Sequence, residues 1–249
     1  MCGIARGLQA GVALLLFSAS PSLAQLPGAQ YRVFRPETPG RHPAIVFVSG
    51  CDGLAPSLSP ALYERRAEDF RARGHVVVFA DYLGRRGLKT CAGPITHDEA
   101  ARDLVEAAAW LGSQAAVDRS RITAMGWSYG GRAVLVALAR YTEAQLGFSR
   151  AVAYYPDCRA LQPWNTRLPV LLLLGGDDQM TPASACQETA KKVALPAAVK
   201  IVVYPGALHG FDVPELPARM RLGFSIIGHH PGAAASARKE VDQFLQPTR

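Results

Sequence analysis

Ser128 sits among glycines in Gly126-Trp127-Ser128-Tyr129-Gly130-Gly131. An acidic pair, Asp177-Asp178, follows Gly175-Gly176 and precedes Thr181-Pro182, and His209 closes the run Tyr204-Pro205-Gly206-Ala207-Leu208. A serine hydroxyl is a weak nucleophile until a neighbouring base takes its proton, and an imidazole serves best when a carboxylate holds its tautomer. The three segments therefore have the makings of acyl-transfer chemistry. Ser128 would attack a carbonyl, His209 would move the proton, and one of the two aspartates would orient His209. Local spacing does not separate Asp177 from Asp178, and the other one suits the turn leading into Pro182. The plainer reading of the glycine-flanked serine is a tight structural turn. Its setting between an apolar strand and an apolar helix favours a nucleophile.

An oxyanion formed at Ser128 needs backbone donors. Tyr129 would open the following helix, where free N–H groups and the helix dipole favour negative charge. The second donor falls to the loop Ser49-Gly50-Cys51-Asp52-Gly53, whose glycines let N–H groups face a site. The assigned pair is the N–H groups of Cys51 and Tyr129. The other histidines (His42, His75, His97, His229 and His230) do not close a late strand in this way. His229-His230 has the residue type of a metal pair, but adjacent side chains in a Gly/Pro loop diverge, which reads as a solvated loop. The mechanism calls for no metal and no cofactor.

These residues need rigid elements to bring them together. The apolar runs Ala44 to Val48 and Val76 to Ala80 predict buried strands, and Ile122 to Met125, Ala151 to Tyr155, Pro169 to Leu174 and Val199 to Tyr204 predict further strands. Gln30 to Pro36 predicts a first strand. Helical spacing covers Ser59 to Arg73, Thr96 to Gly112, Ser128 to Arg140, Pro182 to Val193 and Ala233 to Leu245. Alternating strands and helices predict an α/β fold with a mostly parallel central sheet and helices on both faces. Ser128, the aspartates and His209 each follow the end of a strand. The order serine, acid, histidine is that of the α/β-hydrolases.

The chain has 249 residues, enough for one well-buried domain, and no internal repeat or dividing linker breaks it. Its first 24 residues read differently. Arg6, the apolar stretch Ala10 to Ala19 and the small residues up to Ala24 have the layout of a secretory signal peptide. An uncleaved anchor is the alternative, but the run is short for a bilayer. The expectation is thus a leader at 1–24, a single domain at 25–249 and a secreted or periplasmic protein without stable membrane insertion. Cys51, Cys91, Cys158 and Cys186 remain after the leader, an even set that suits disulfides in an exported chain. Cys51–Cys91 and Cys158–Cys186 are the preferred pairs, because each joins loops leaving the same edge of the sheet; free buried thiols are the alternative. The net charge of +7 is scattered, without a basic tract interleaved with aromatics, so nucleic acid is not an expected partner.

At these residues the chain resembles the dienelactone hydrolase family of α/β-hydrolases, from about Ala44 to the C-terminal helix. The resemblance rests on Gly-Trp-Ser-Tyr-Gly-Gly, on the Gly-x-x-Asp-x-x-Thr-Pro pattern of Gly175 to Pro182, and on Tyr-Pro-Gly-Ala-x-His-Gly-Phe at Tyr204 to Phe211. It implies Asp178 as the acid, His209 as the base, and Cys51 and Tyr129 flanking the oxyanion. The family's best-known enzymes use a cysteine nucleophile and carry a Glu near the early loop. This chain has Ser128, and Ser49 to Gly53 contains no Glu. The resemblance therefore implies a serine branch acting on small-molecule esters or lactones, with Arg85 placed either to meet a substrate carboxylate or as a surface arginine. A peptidase or acyltransferase on the same triad, or a binding protein that kept the fold, are the other readings. Oligomeric state is not legible in the sequence.

Overall fold

Continuous β-branched and leucine runs have no polar face to give to water, so strands built from them must be covered on both sides. The computed structural model describes residues 31–54 and 60–246; the leader expected at 1–24 lies outside the described residues. Seven strands form one sheet: β1 (Val33–Phe34), β2 (His42–Val48), β3 (Val76–Phe79), β4 (Val117–Trp127), β5 (Arg150–Tyr154), β6 (Val170–Gly175) and β7 (Val199–Tyr204), in the order β1-β3-β2-β4-β5-β6-β7. Only β1 runs antiparallel, against β3. These described residues form one compact unit.

The pleat sends alternate residues to opposite sides. Ala44, Val46 and Val48 join Ala124, Leu172 and Leu174 on one face, under α2 (His97–Gly112) and α3 (Tyr129–Arg140). Ile45 and Phe47 join Met125, Trp127, Leu171 and Leu173 on the other, under α1 (Pro60–Ala72) and α6 (Pro231–Leu245). The chain leaves β2 toward α1 and leaves the adjacent β4 toward α3. The two connections diverge to opposite faces, which opens a crevice at the carboxyl ends of these strands. The register levels those ends, with Val48 beside Gly126, Trp127 beside Tyr154, and Gly175 beside Tyr204.

Some elements depart from the sequence expectation. β1 keeps two residues of the predicted 30–36, since it is an edge strand with a single neighbour. β4 extends back to Val117 through half-buried Asp118 and exposed Arg119, Ser120 and Arg121, polar residues without a hydrophobic pattern to reveal them. A helix α4 (Glu143–Leu146), and a hairpin of β8 (Met220–Leu222) and β9 (Ser225–Ile227), lie outside the predicted strands and helices. The helix α5 (Ala183–Ala190) is shorter than its predicted span. α2 begins with a reciprocal cap: the Glu99 N–H donates to Thr96 Oγ1, and the Thr96 N–H donates to Glu99 Oε2. Disulfides join Cys51 to Cys91, and Cys158 in the loop after β5 to Cys186 of α5. Among the described residues no helix is long and apolar enough to cross a membrane.

Two consequences are measurable. Cys158–Cys186 closes a loop 28 residues long, so replacing both cysteines by serine should lower the unfolding free energy by about 3 kcal/mol, read by urea denaturation. Burial, aided by Arg73 and Arg121 at His75 and by Arg132 at His97, lowers both histidine pKa values from 6.5 to about 4. The unfolded chain therefore takes up these protons first, and stability should fall as pH drops from about 6.5 to about 4. Denaturation at pH 7 and pH 5 should show this loss, and it should shrink in His75→Gln/His97→Gln.

Candidate active site

The chain turns directly from β4 into α3, and Ser128 occupies the corner with φ 49° and ψ −114°, a region costly for any residue with a Cβ. Backbone bonds over-determine it. The Ser128 N–H donates to the Tyr154 carbonyl at 2.9 Å, and the Arg132 N–H donates to the Ser128 carbonyl at 2.9 Å. The flanking glycines leave no room for side chains. A Cβ on Gly126 would lie 2.4 Å from the Gly130 oxygen, and one on Gly130 would lie 2.3 Å from the oxygens of both Val48 and Ser49. The start of α3 thus packs against the end of β2.

That contact brings the loop of Cys51 beside the corner. The Gly50 N–H donates to the Tyr63 hydroxyl, the Tyr82 hydroxyl donates to the Gly50 carbonyl, and the Cys91 N–H donates to the Cys51 carbonyl, each at 2.8 Å. With the disulfide to Cys91, these bonds fix the peptide planes on both sides of the Cys51 N–H. Tyr129 is the first residue of α3, where N–H groups have no intrahelical acceptor. Its ring stacks with those of Tyr82 and His97 and borders a cavity of about 380 Å³ shared with Arg132, Leu161 and Gln162.

His209 leaves β7 through a tight turn. Gly175, at the end of β6, lies so close to this turn that a Cβ there would sit 2.6 Å from the Ala207 oxygen. The two loops are thereby pressed together. His209 Nε2 lies 2.9 Å from Ser128 Oγ, and His209 Nδ1 lies 2.8 Å from Asp178 Oδ2. Asp178 is buried. Its Oδ1 accepts from the Met180 and Thr181 N–H groups at 2.9 Å, and its Oδ2 accepts from the Thr181 hydroxyl at 2.7 Å. Burial by itself would raise the Asp178 pKa; bonds from His209 and Thr181 outweigh it and hold the carboxylate below its ordinary range.

The two aspartates do not divide the work as the sequence suggested. Asp178 meets His209 with one oxygen and caps its own turn with the other, while Asp177 is exposed and its N–H donates to the Ala207 carbonyl. The structure thus brings Ser128, Asp178 and His209 together, with the Cys51 loop and Tyr129 beside them. Arg85 goes elsewhere: its guanidinium donates to Asp103 at 3.1 Å and Glu106 at 2.8 Å on α2. His230 accepts from the Ala233 N–H and caps α6.

Residues 30–248 match the profile of the dienelactone hydrolase family. The chain belongs to the dienelactone hydrolase family. Two solved structures illustrate the fold of this family member. Thermogutta terrifontis esterase 2, phosphoramylated by tabun, aligns with a TM-score of 0.62 at 20% identity, covering 86% of this chain and 88% of that one. The esterase from the same organism with propionate bound gives 0.61 at 19%, covering 86% and 88%. Among curated proteins, "Probable dipeptidyl-aminopeptidase B" of Ajellomyces capsulatus is 30% identical over 129 residues, which is 48% of this chain and 13% of that protein. The protein of the same name from Botryotinia fuckeliana is 36% identical over 91 residues, 34% of this chain and 10% of its own length. The chain thus spans only a small part of the curated relatives it matches.

In this dienelactone hydrolase family member, sequence reasoning overlooked Thr181, Tyr155 and Asp212. Thr181 was visible within the Thr-Pro pattern, but its hydroxyl contacts, 2.7 Å to Asp178, 3.1 Å to His209 Nδ1 and 3.1 Å to the Tyr155 carbonyl, require coordinates. Tyr155 and Asp212 carry no sequence signal. The glycine contacts predict that Gly130→Ala destabilises the fold by about 2–3 kcal/mol through overpacking against β2. Gly112→Ala, whose Cβ would meet Ile122 at an ordinary 3.5 Å, should be near neutral by the same denaturation measurement.

Proposed function

We propose that this chain hydrolyses carboxylic esters or lactones through an acyl-enzyme on Ser128. The observation that carries the reading is the unbroken run Asp178–His209–Ser128, at 2.8 and 2.9 Å, ending on a strained serine at a strand-to-helix corner. Ser128 Oγ attacks the carbonyl carbon while its proton passes to His209 Nε2. The oxyanion accepts hydrogen bonds from the N–H groups of Tyr129 and Cys51. As the intermediate collapses, His209 returns the proton to the departing alkoxide, leaving the acyl group on Ser128. Water activated by His209 then releases the acid and restores the serine. Asp178 keeps Nδ1 protonated and stabilises the imidazolium throughout.

The reading treats residues 25–249 as one catalytic domain, exported behind a leader at 1–24. Two disulfides support an oxidising compartment. Arg85, already paired with Asp103 and Glu106, has no part in substrate binding in this reading. A second reading, peptide hydrolysis by the same triad, draws on the curated relatives called dipeptidyl-aminopeptidase B.

Kinetics on p-nitrophenyl esters from acetate to octanoate test the proposal. Ser128→Ala and His209→Ala should each lower kcat by about 10³-fold or more, and Asp178→Asn by about 10³-fold or more, whereas Asp177→Asn should change it less than about twofold. A fluorophosphonate probe should label the wild type and spare Ser128→Ala; equal labelling of both would refute the nucleophile. Faster release from a dipeptidyl p-nitroanilide than from any ester would favour the peptidase.

A further inference from the structure

A second carboxylate lies under the proposed triad. Asp212 follows His209 by three residues and its side chain is fully buried. Its Oδ2 accepts from Trp127 Nε1–H at 3.0 Å, and its Oδ1 accepts from the Tyr155 hydroxyl at 2.7 Å. Arg66 of α1, also buried, approaches Oδ2 only to 3.6 Å, and its Nε has no hydrogen-bond partner among the described residues. Both hydroxyl and indole donors belong to the site's frame. Trp127 immediately precedes Ser128. Tyr155 follows β5 with a left-handed φ of 37°, its ring centroid lies 4.6 Å from that of His209, and its carbonyl lies 3.1 Å from the Thr181 hydroxyl. One carboxylate therefore ties the histidine loop to the residue before the nucleophile, to a strained residue against the imidazole, and to α1.

Stability alone gives a poor account of this arrangement. Burying a carboxylate and a guanidinium carries a large desolvation cost, which a loose pair at this distance offsets badly, and apolar replacements of such pairs are often neutral or stabilising. What an apolar group does not supply is direction. Two acceptor oxygens fix two rings from different strands relative to one loop. We infer that Asp212 is a positioning residue that sets where His209 stands relative to Ser128, an inference that rests on the triad reading above. Burial, with the Asp212 charge adding to it, raises the Tyr155 pKa well above its ordinary value, so the hydroxyl remains a donor.

Tyr155→Phe deletes the hydroxyl and keeps the ring; Asp212→Asn keeps the size and removes the charge; the double variant breaks the same link twice. Measured on p-nitrophenyl acetate, each single variant should lower kcat about tenfold with KM within about twofold. The rate of fluorophosphonate labelling at Ser128 should fall in proportion. The double variant should be no slower than the slower single one, because the two groups act through one bond. Active wild type with undiminished kcat in the variants, whatever happens to Tm, would overturn the inference, as would losses that simply add. If Asp212→Asn does not fold, Tyr155→Phe and Trp127→Phe carry the same test. A wild type that neither turns over ester nor labels at Ser128 refutes the triad reading, and Asp212 falls with it.

Discussion

The close packing of Gly130 on the last carbonyls of β2 is the constraint from which the rest of the site follows. Two adjacent parallel strands end at one level, and their connections leave for opposite faces of the sheet. The crevice between them is narrow enough for backbone to touch backbone only if no side chain intervenes, and that excludes even a Cβ at position 130. With the helix start held there, Ser128 takes its left-handed corner, and Tyr129 and the loop after β2 lie beside it. The strain is local; the sheet hydrogen bonds that hold it are not, since the Ser128 N–H is bonded to the neighbouring strand.

Around that corner the polar groups are arranged for direction more than for strength. Asp178 uses every acceptor position it has: two backbone N–H groups on one oxygen, and a hydroxyl and an imidazole on the other. A carboxylate so engaged has one orientation, and it passes that orientation to His209. Asp212 has the same character at the back of the site, with a ring from β4 and a ring from the end of β5 each donating to one oxygen. The two disulfides act on the loops, one at the Cys51 turn and one between the loop after β5 and α5. Both lie at the carboxyl edge of the sheet, where loops are longest and least supported by strand pairing.

Much of the fold was legible because its strands are buried on both faces. Ala44 to Val48 and Leu171 to Leu174 read as central strands because they are apolar on both faces and too short for a buried helix. Where polar residues entered a strand, as in Asp118 to Arg121 of β4, or where a short hairpin carried exposed Leu222 and Phe224, the pattern was silent. The hairpin pairs through backbone groups, and Asp118 to Arg121 fall in the register break between paired Val117 and Ile122, so the residue types record little of either.

The sequence by itself determined the chemistry on offer: a serine ringed by glycines, an acid and a histidine, each following a strand, in an order that this fold uses. It determined the parallel sheet as well, through hydrophobic runs that local physics can read. Only the tertiary structure gave Asp178 both the contact to His209 and the cap of its own turn, left Asp177 exposed, turned Arg85 toward α2, and brought Thr181, Tyr155 and Asp212 to the site. The physical reason is the same in each case. Hydrogen bonding to a buried group is decided by distances of a few tenths of an ångström between segments far apart in the chain. Such distances are set by how the sheet, helices and loops pack together, and a short motif carries no record of them.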